Sequence, residues 1–415
     1  MSRAALAGLL ADRNVARVLA ALDGAGEETR IVGGAVRNAL IGIAVADIDM
    51  ATTAAPDIVV ERAKAAGLKV ALTGYEHGTV TVISGHRPFE VTSLREDVET
   101  DGRRAKVRFG RDFDEDARRR DFTINSMSLT ADGVLHDPLD GQADLAERRV
   151  RFIGDARKRI AEDYLRILRF FRFHAAYGRG PLDAEGLAAA IDLREGLTRL
   201  SAERVRVEIL KLMAATRGPD VVREAADAGL LEFAIGGIVY SSRLDGLARI
   251  EASERRDADA LLRLAAAGAL TTEDCERLRE RLRLSNAEHK RLVAALRALE
   301  TLHGAAAPPR DVSLATRVFE FGAEATCDAL MLAQAEARGG ADVAVWQAAR
   351  DAAREMGDFR LPVSGEDLKQ RGLSEGRAIG AALKHLQARW IREGFPRDPA
   401  VIARLIDEAV AAAEE

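Results

Sequence analysis

A change of pattern near residue 155 constrains this chain more than any single motif does. Before it, short runs rich in β-branched residues alternate with glycine-punctuated turns, the signature of strands. After it, strand signals nearly vanish. The remainder is rich in Ala, Leu, Arg and Glu at helical spacing, with recurrent helix punctuation. The pattern predicts an α+β chain, in which a small mixed α/β domain is followed by a long helical stretch in several parts.

Within the first 150 residues, Arg30–Val32, Val45–Ala51, Leu68–Leu72, Thr79–Ile83 and Phe89–Ser93 read as strands. Val36–Ile41 reads as one or two helical turns ended by Gly42. Thr53 is placed to cap a helix over Pro56–Ala66, which Gly67 ends. Arg95–Asp116 is polar and loop-like. Farther on, Ser201 opens a helix through Met213, and Ser285 with Glu288 forms a capping box. Breaks fall at Ala307-Pro308-Pro309, Pro362–Gly365 and Gly372.

At 415 residues, 47% hydrophobic and 31% charged, the chain has the composition of a soluble globular protein. No apolar run approaches the roughly 20 residues that span a bilayer. The N-terminal segment reads as one amphipathic helix carrying Asp12, without the uninterrupted apolar region of a signal peptide. A cytoplasmic chain is expected, with a mitochondrial presequence as the alternative. Cys275 and Cys327 lack metal-ligand spacing and read as buried thiols in a reducing compartment. A net charge of −5 excludes a surface that grips nucleic acid everywhere. Local basic runs exist at 103–120 and 148–172, and they fit solvated faces as well as anion sites.

Three constellations carry chemistry. The first is Gly33-Gly34-Ala35-Val36-Arg37 followed by Asp47 and Asp49. A glycine pair after an apolar strand lets backbone amides approach a phosphate. Carboxylates at i and i+2 of a strand share a face and suit a divalent cation that bridges phosphates. Taken alone, such a pair also fits a solvated surface. The second is Arg118-Arg119-Arg120-Asp121-Phe122-Thr123-Ile124-Asn125, whose arginines, Asp121 and Asn125 on an expected strand suit phosphate and ribose, or a basic surface turn.

The third is Asp163 and Arg166, expected as i,i+3 neighbours on one helix face, with Arg169 beyond and Arg172 rotated away. A surface ion pair is the plain alternative. An acceptor beside a donor also complements the pairing edges of cytosine and adenine and repels those of uracil and guanine. Glu90 reads as an exposed strand carboxylate, with a third metal ligand as the alternative. His77 reads as a turn residue, and Trp346 and Trp390 as core.

The ordered set GGAVRNALIG, DID, GYEHGTVTV, REDVETDGR, RRDFTIN, EDYLRILRFFRF and ERVRVEILK resembles the bacterial-type CCA-adding enzymes, class II tRNA nucleotidyltransferases of the polymerase-beta superfamily. The later LRLSNAEH and VSGEDLKQRGLSEG stretches extend the resemblance over essentially the whole chain.

The resemblance implies a nucleotidyltransferase head (1–150) and a neck that recognises the base (151–215). A body (216–310) and a tRNA-binding tail (311–415) follow. It implies addition of C, C and A to a tRNA 3′ end from CTP and ATP, with Mg2+ as cofactor and no membrane or protein partner. Carried over, Asp47 and Asp49 hold the metal, and Gly33, Gly34 and Arg37 meet the triphosphate. Arg119, Arg120, Asp121 and Asn125 bind phosphates and ribose, and Asp163, Arg166 and Arg169 read the base. Arg95, Asp97, Asp101, Gly102 and Arg103 belong to a flexible loop used in switching from CTP to ATP. The family usually has Asp where this chain has Asn38, which keeps a hydrogen bond and loses the charge. A poly(A) polymerase, a partial CC- or A-adding enzyme and a non-catalytic RNA-binding protein are the alternatives.

Overall fold

The N-terminal segment folds as two helices rather than one, α1 (Arg3–Ala11) and α2 (Arg13–Leu22). Asp12 breaks it: its extended backbone ends α1, and its carboxylate accepts from the amides of Asn14 and Val15 to cap α2. The computed structural model describes residues 3–96, 108–337, 342–373 and 376–414, and the chain divides into two units, Met1–Leu200 and Ser201–Glu415.

In the first unit the order continues β1 (Thr29–Val32), α3 (Gly34–Leu40), β2 (Asp49–Thr52), α4 (Pro56–Ala65), β3 (Lys69–Ala71), β4 (Thr79–Ser84) and β5 (Arg87–Ser93). There follow β6 (Arg95–Glu96), β7 (Arg108–Phe109), α5 (Phe113–Arg119), β8 (Ser128–Leu129), β9 (Leu135–His136), α6 (Gly141–Ala146), α7 (Ala156–Glu162), α8 (Leu165–Tyr177) and α9 (Ala184–Asp192). Seven strands form one sheet in the order β3-β4-β5-β2-β1-β8-β9. Only β2 and β5 run parallel; every other neighbouring pair is antiparallel.

Period-2 alternation decides which face is buried. Val80 and Val82 of β4, Phe89 and Val91 of β5 and Met50 of β2 point inward, and α2 and α4 pack on the strands there. Burying each such side chain contributes roughly 1.5–3 kcal/mol, which fixes the register. The residues between them, Asp49 and Glu90 included, are turned to the open face.

Several local expectations change. Thr53 does not cap α4; Ala55 occupies that place, and the Thr53 hydroxyl bonds Glu27 instead. The strand expected from Val45 begins only at Asp49, so Asp47 precedes it. Thr123–Asn125 is a turn of 3₁₀ helix, not a strand, and β8 and β9 went unforeseen.

In the second unit all regular elements among the described residues are helices. Ser201 precedes the helix Ala202–Ala214, and the Ser285–Glu288 capping box opens Asn286–Leu299. Trp346 is buried, and Trp390 sits in a separate cluster with Leu368, Leu386 and Leu405. Cys275 and Cys327 are buried, unbridged thiols, and burial pushes Cys275 up to about 12. No helix among the described residues is long and apolar enough to cross a membrane.

Candidate active site

The glycine turn between β1 and α3 depends on glycine for a specific reason. Gly33 has φ +63°, and a Cβ there would lie 2.7 Å from Nη1 of Arg120. Its amide donates to the Met127 carbonyl, which ties the turn to the segment leading into β8. The Arg120 guanidinium therefore rests on the turn, held by Asp116 at 2.9 Å.

Beside the turn, Asp47 and Asp49 are exposed while Ile48 and Met50 between and after them are 2% and 1% exposed. This is the shared face expected of the pair. Glu90 sits opposite Asp49 in the parallel β2–β5 register and is also exposed. Although its surface is accessible, Asp49 titrates above the ordinary carboxylate range. Desolvation by the surrounding protein is the main cause. The Glu90 charge adds to it, Arg120 opposes it, and Asp47 adds a smaller push.

Arg37 lies under the turn and is 5% exposed. Its Nε and Nη2 donate to Oδ1 of Asn38 at 3.1 and 2.9 Å, its Nη2 also donates to the Tyr177 hydroxyl at 2.7 Å, and its Nη1 donates to Asn125. Asn125 in turn donates to Asp121 at 2.9 Å, and Asp121 accepts from Nε of Arg169 at 2.7 Å. The network thus runs from the glycine turn to helix α8. Phe173 gathers the cations: the guanidinium carbons of Arg37, Arg169 and Arg172 lie 5.2, 5.1 and 4.2 Å from its ring centre. Arg172, expected to have rotated away, is part of this cluster. Burial lowers the Arg37 pKa, and the Arg172 charge adds to the effect, against the opposing influence of Tyr177 and Asp121.

The base-reading pair is placed differently from expectation. Asp163 is not on the helix with Arg166. It is extended, at φ −155° and ψ 106°, and ends α7. Its Oδ1 accepts from the Leu165 amide, so the carboxylate helps to start α8. Arg166 stands in the first turn of α8, and its guanidinium bonds Glu162 and the Arg159 carbonyl. The break is locked by Tyr164, against whose ring Gly196 packs so closely that a Cβ would lie 1.9 Å away. Arg119 donates to the Arg95 carbonyl. Of the loop residues, Asp97, Asp101, Gly102 and Arg103 lie outside the described residues. His77 is exposed in a 3₁₀ turn.

Residues 29–151 match the family described as Poly A polymerase head domain, and residues 182–238 match the probable RNA and SrmB-binding site of polymerase A. The chain is 31% identical over 405 residues to the CCA-adding enzyme of Levilactobacillus brevis, covering 94% of this chain and 96% of that one. It is 35% identical over 387 residues to CCA tRNA nucleotidyltransferase 1, mitochondrial, of Mus musculus, covering 89% and 84%. The chain belongs to the CCA-adding enzymes.

The fold agrees with that membership. The Bacillus stearothermophilus CCA-adding enzyme, solved in complex with CTP, superposes with a TM-score of 0.75 at 25% identity over 97% of this chain and 98% of that one. Phe173 and Tyr177, which pack on the arginines of this cluster, were not singled out from the sequence. Their signal was an aromatic i,i+4 pair on a helix that also carries arginines at positions 169 and 172.

Proposed function

We propose that this chain adds C, C and A to the 3′ end of tRNA from CTP and ATP without a template, releasing pyrophosphate, with Asp47 and Asp49 as its metal-binding carboxylates. The observation that carries the reading is the aspartate pair standing exposed beside a glycine turn, with Arg120 between the two. Two hard oxygen donors under mutual repulsion suit Mg2+, whose remaining positions go to water and substrate phosphate. When bound, the ion would activate the 3′ hydroxyl and steady the leaving oxygens.

The protein's own groups do the positioning. The Gly34 amide faces the triphosphate, the Gly33 amide being tied to the Met127 carbonyl, and Arg37 supplies positive charge from beneath the turn. Arg119 and Arg120 extend the charge over the phosphates. Asp121 and Asn125 serve the site by fixing Arg37 and Arg169, since their polar atoms are engaged there. At the α7–α8 junction Asp163 and Arg166 read the pairing edge of cytosine and adenine, and Arg169 lines the same helix. The head, neck, body and tail division and a cytoplasmic location belong to the same reading.

Incubation with tRNA lacking its 3′ end and with each nucleotide singly tests it. Ordered incorporation of two C and one A followed by arrest is expected. Unlimited A addition would favour a poly(A) polymerase.

A further inference from the structure

Among the described residues, every hydrogen bond of Arg37 ends on a neutral acceptor: Asn38, Asn125 or Tyr177. A buried guanidinium ordinarily takes a carboxylate partner. Here the charge is held in place without being cancelled.

Tyr177 does two things in this arrangement. It ends α8, its ring centre lies 4.0 Å from the Arg37 guanidinium carbon, and the ring also packs on Phe173 at 5.6 Å. Its oxygen accepts from Nη2 of Arg37 at 2.7 Å. Having accepted, the phenol keeps its own proton. That proton has no acceptor among the described residues, and Tyr177 is only partly buried. A hydroxyl whose oxygen already receives a bond from a cation is a strengthened donor. The chemistry that it suits is an anionic oxygen.

We propose that Tyr177 is a nucleotide-positioning residue, which holds Arg37 under Gly34 by stacking and accepting, and offers its own O–H to a phosphate oxygen of the incoming nucleotide. The inference rests on the reading that the Gly33–Arg37 turn receives the triphosphate. Phosphates are common to CTP and ATP, so the effect of Tyr177 is blind to the base, unlike that of Asp163 and Arg166.

Tyr177→Phe keeps the ring and removes both functions of the oxygen. Steady-state kinetics on tRNA ending before C and on tRNA ending in CC should show KM raised roughly fivefold to tenfold for CTP and ATP alike, with kcat near wild type. Inhibition by inorganic pyrophosphate, which has neither base nor ribose, should weaken by the same factor. The thermal midpoint should hold. Unchanged KM values and unchanged pyrophosphate inhibition in Tyr177→Phe would overturn the proposal, as would an effect on one nucleotide alone. Arg37→Gln separates the two readings. If that variant also leaves pyrophosphate inhibition unchanged, the triphosphate reading of the turn fails. If it weakens inhibition while Tyr177→Phe does not, only the role of Tyr177 fails.

Discussion

Two buried guanidiniums, one in each unit, are held in opposite ways. Arg263 of the second unit bonds Glu251 at 2.7 Å, with both side chains under 10% exposed, and its Nη1 donates to the carbonyls of Met213 and Ala215. Arg350 of the same unit is likewise paired with Glu254. Arg37 of the first unit is as deeply buried and has no carboxylate partner among the described residues. The open face of the sheet mirrors this with the opposite sign, since neither Asp47 nor Asp49 is ion-paired among the described residues while Asp49 titrates high. The second unit neutralises its buried charge and gains a fixed helical packing. The first pairs Arg120 with Asp116 and Arg169 with Asp121 but leaves Arg37 and the aspartate pair uncancelled, a pattern that marks candidate functional sites.

The largest test of that contrast is on the sheet face. Asp47→Ala with Asp49→Ala should cut nucleotide addition by roughly 10³-fold or more. The thermal midpoint should stay level or rise, because repulsion is relieved. Appreciable incorporation in a gel assay by the double variant would sink the metal assignment, and a collapse in stability would make the pair structural. Next comes a swap of consequences between the two guanidiniums. Arg263→Met leaves Glu251 buried without its cationic partner and should cost about 3–5 kcal/mol in denaturant unfolding. Arg37→Gln should cost little stability and chiefly weaken nucleotide binding. If the two variants lose stability equally, the contrast between the units does not hold.

The placement of the candidate site's sheet-side residues was legible in the sequence, that of its helix-side residues only in outline. The outward turn of Asp49 was readable because Met50 beside it in β2 is buried, and Asp47, just before the strand, keeps the same alternation with buried Ile48. The expected helix through Asp163 failed for a tertiary reason: Tyr164 is clamped by the turn at Gly196, a contact some 30 residues away that no local periodicity carries. Arg172 was read as rotated away from helical drift alone, which is silent about Phe173 beside it, whose ring draws three guanidiniums together. Thr53 was misplaced as a cap because its oxygen accepts from the Glu28 amide and its proton goes to Glu27.

A smaller effect separates the units by pH. Asp259 of the second unit is half-buried, and its desolvation by itself would raise its pKa, yet the bond from Arg291 and the amides of Leu261 and Leu262 bring it below the ordinary value. A folded-state pKa below the unfolded one contributes stability above about pH 4 that is lost as pH falls through the folded value. Asp259→Asn should therefore cost about 1 kcal/mol at pH 7 and less at a pH acid enough to protonate the folded carboxyl. An equal loss at both pH values, read by urea unfolding, would mean that the cap and not the charge matters.

The smallest expected effect tests the neutral cradle of Arg37 most directly. Asn38→Asp changes one atom and gives the guanidinium a carboxylate where Oδ1 now accepts two bonds at 3.1 and 2.9 Å. The new carboxylate would titrate below its unfolded value, so stability should rise by about 1 kcal/mol at neutral pH, and the gain should vanish as the solution is acidified through that folded value. Since the family usually carries Asp here, addition of nucleotides should survive. What should weaken, by roughly twofold to threefold, is inhibition by pyrophosphate, because part of the Arg37 charge is then cancelled. A variant that gains stability with pyrophosphate inhibition unaltered would show that Asn38 serves only to orient Arg37, and that the uncancelled charge beneath the turn is not what draws the phosphates.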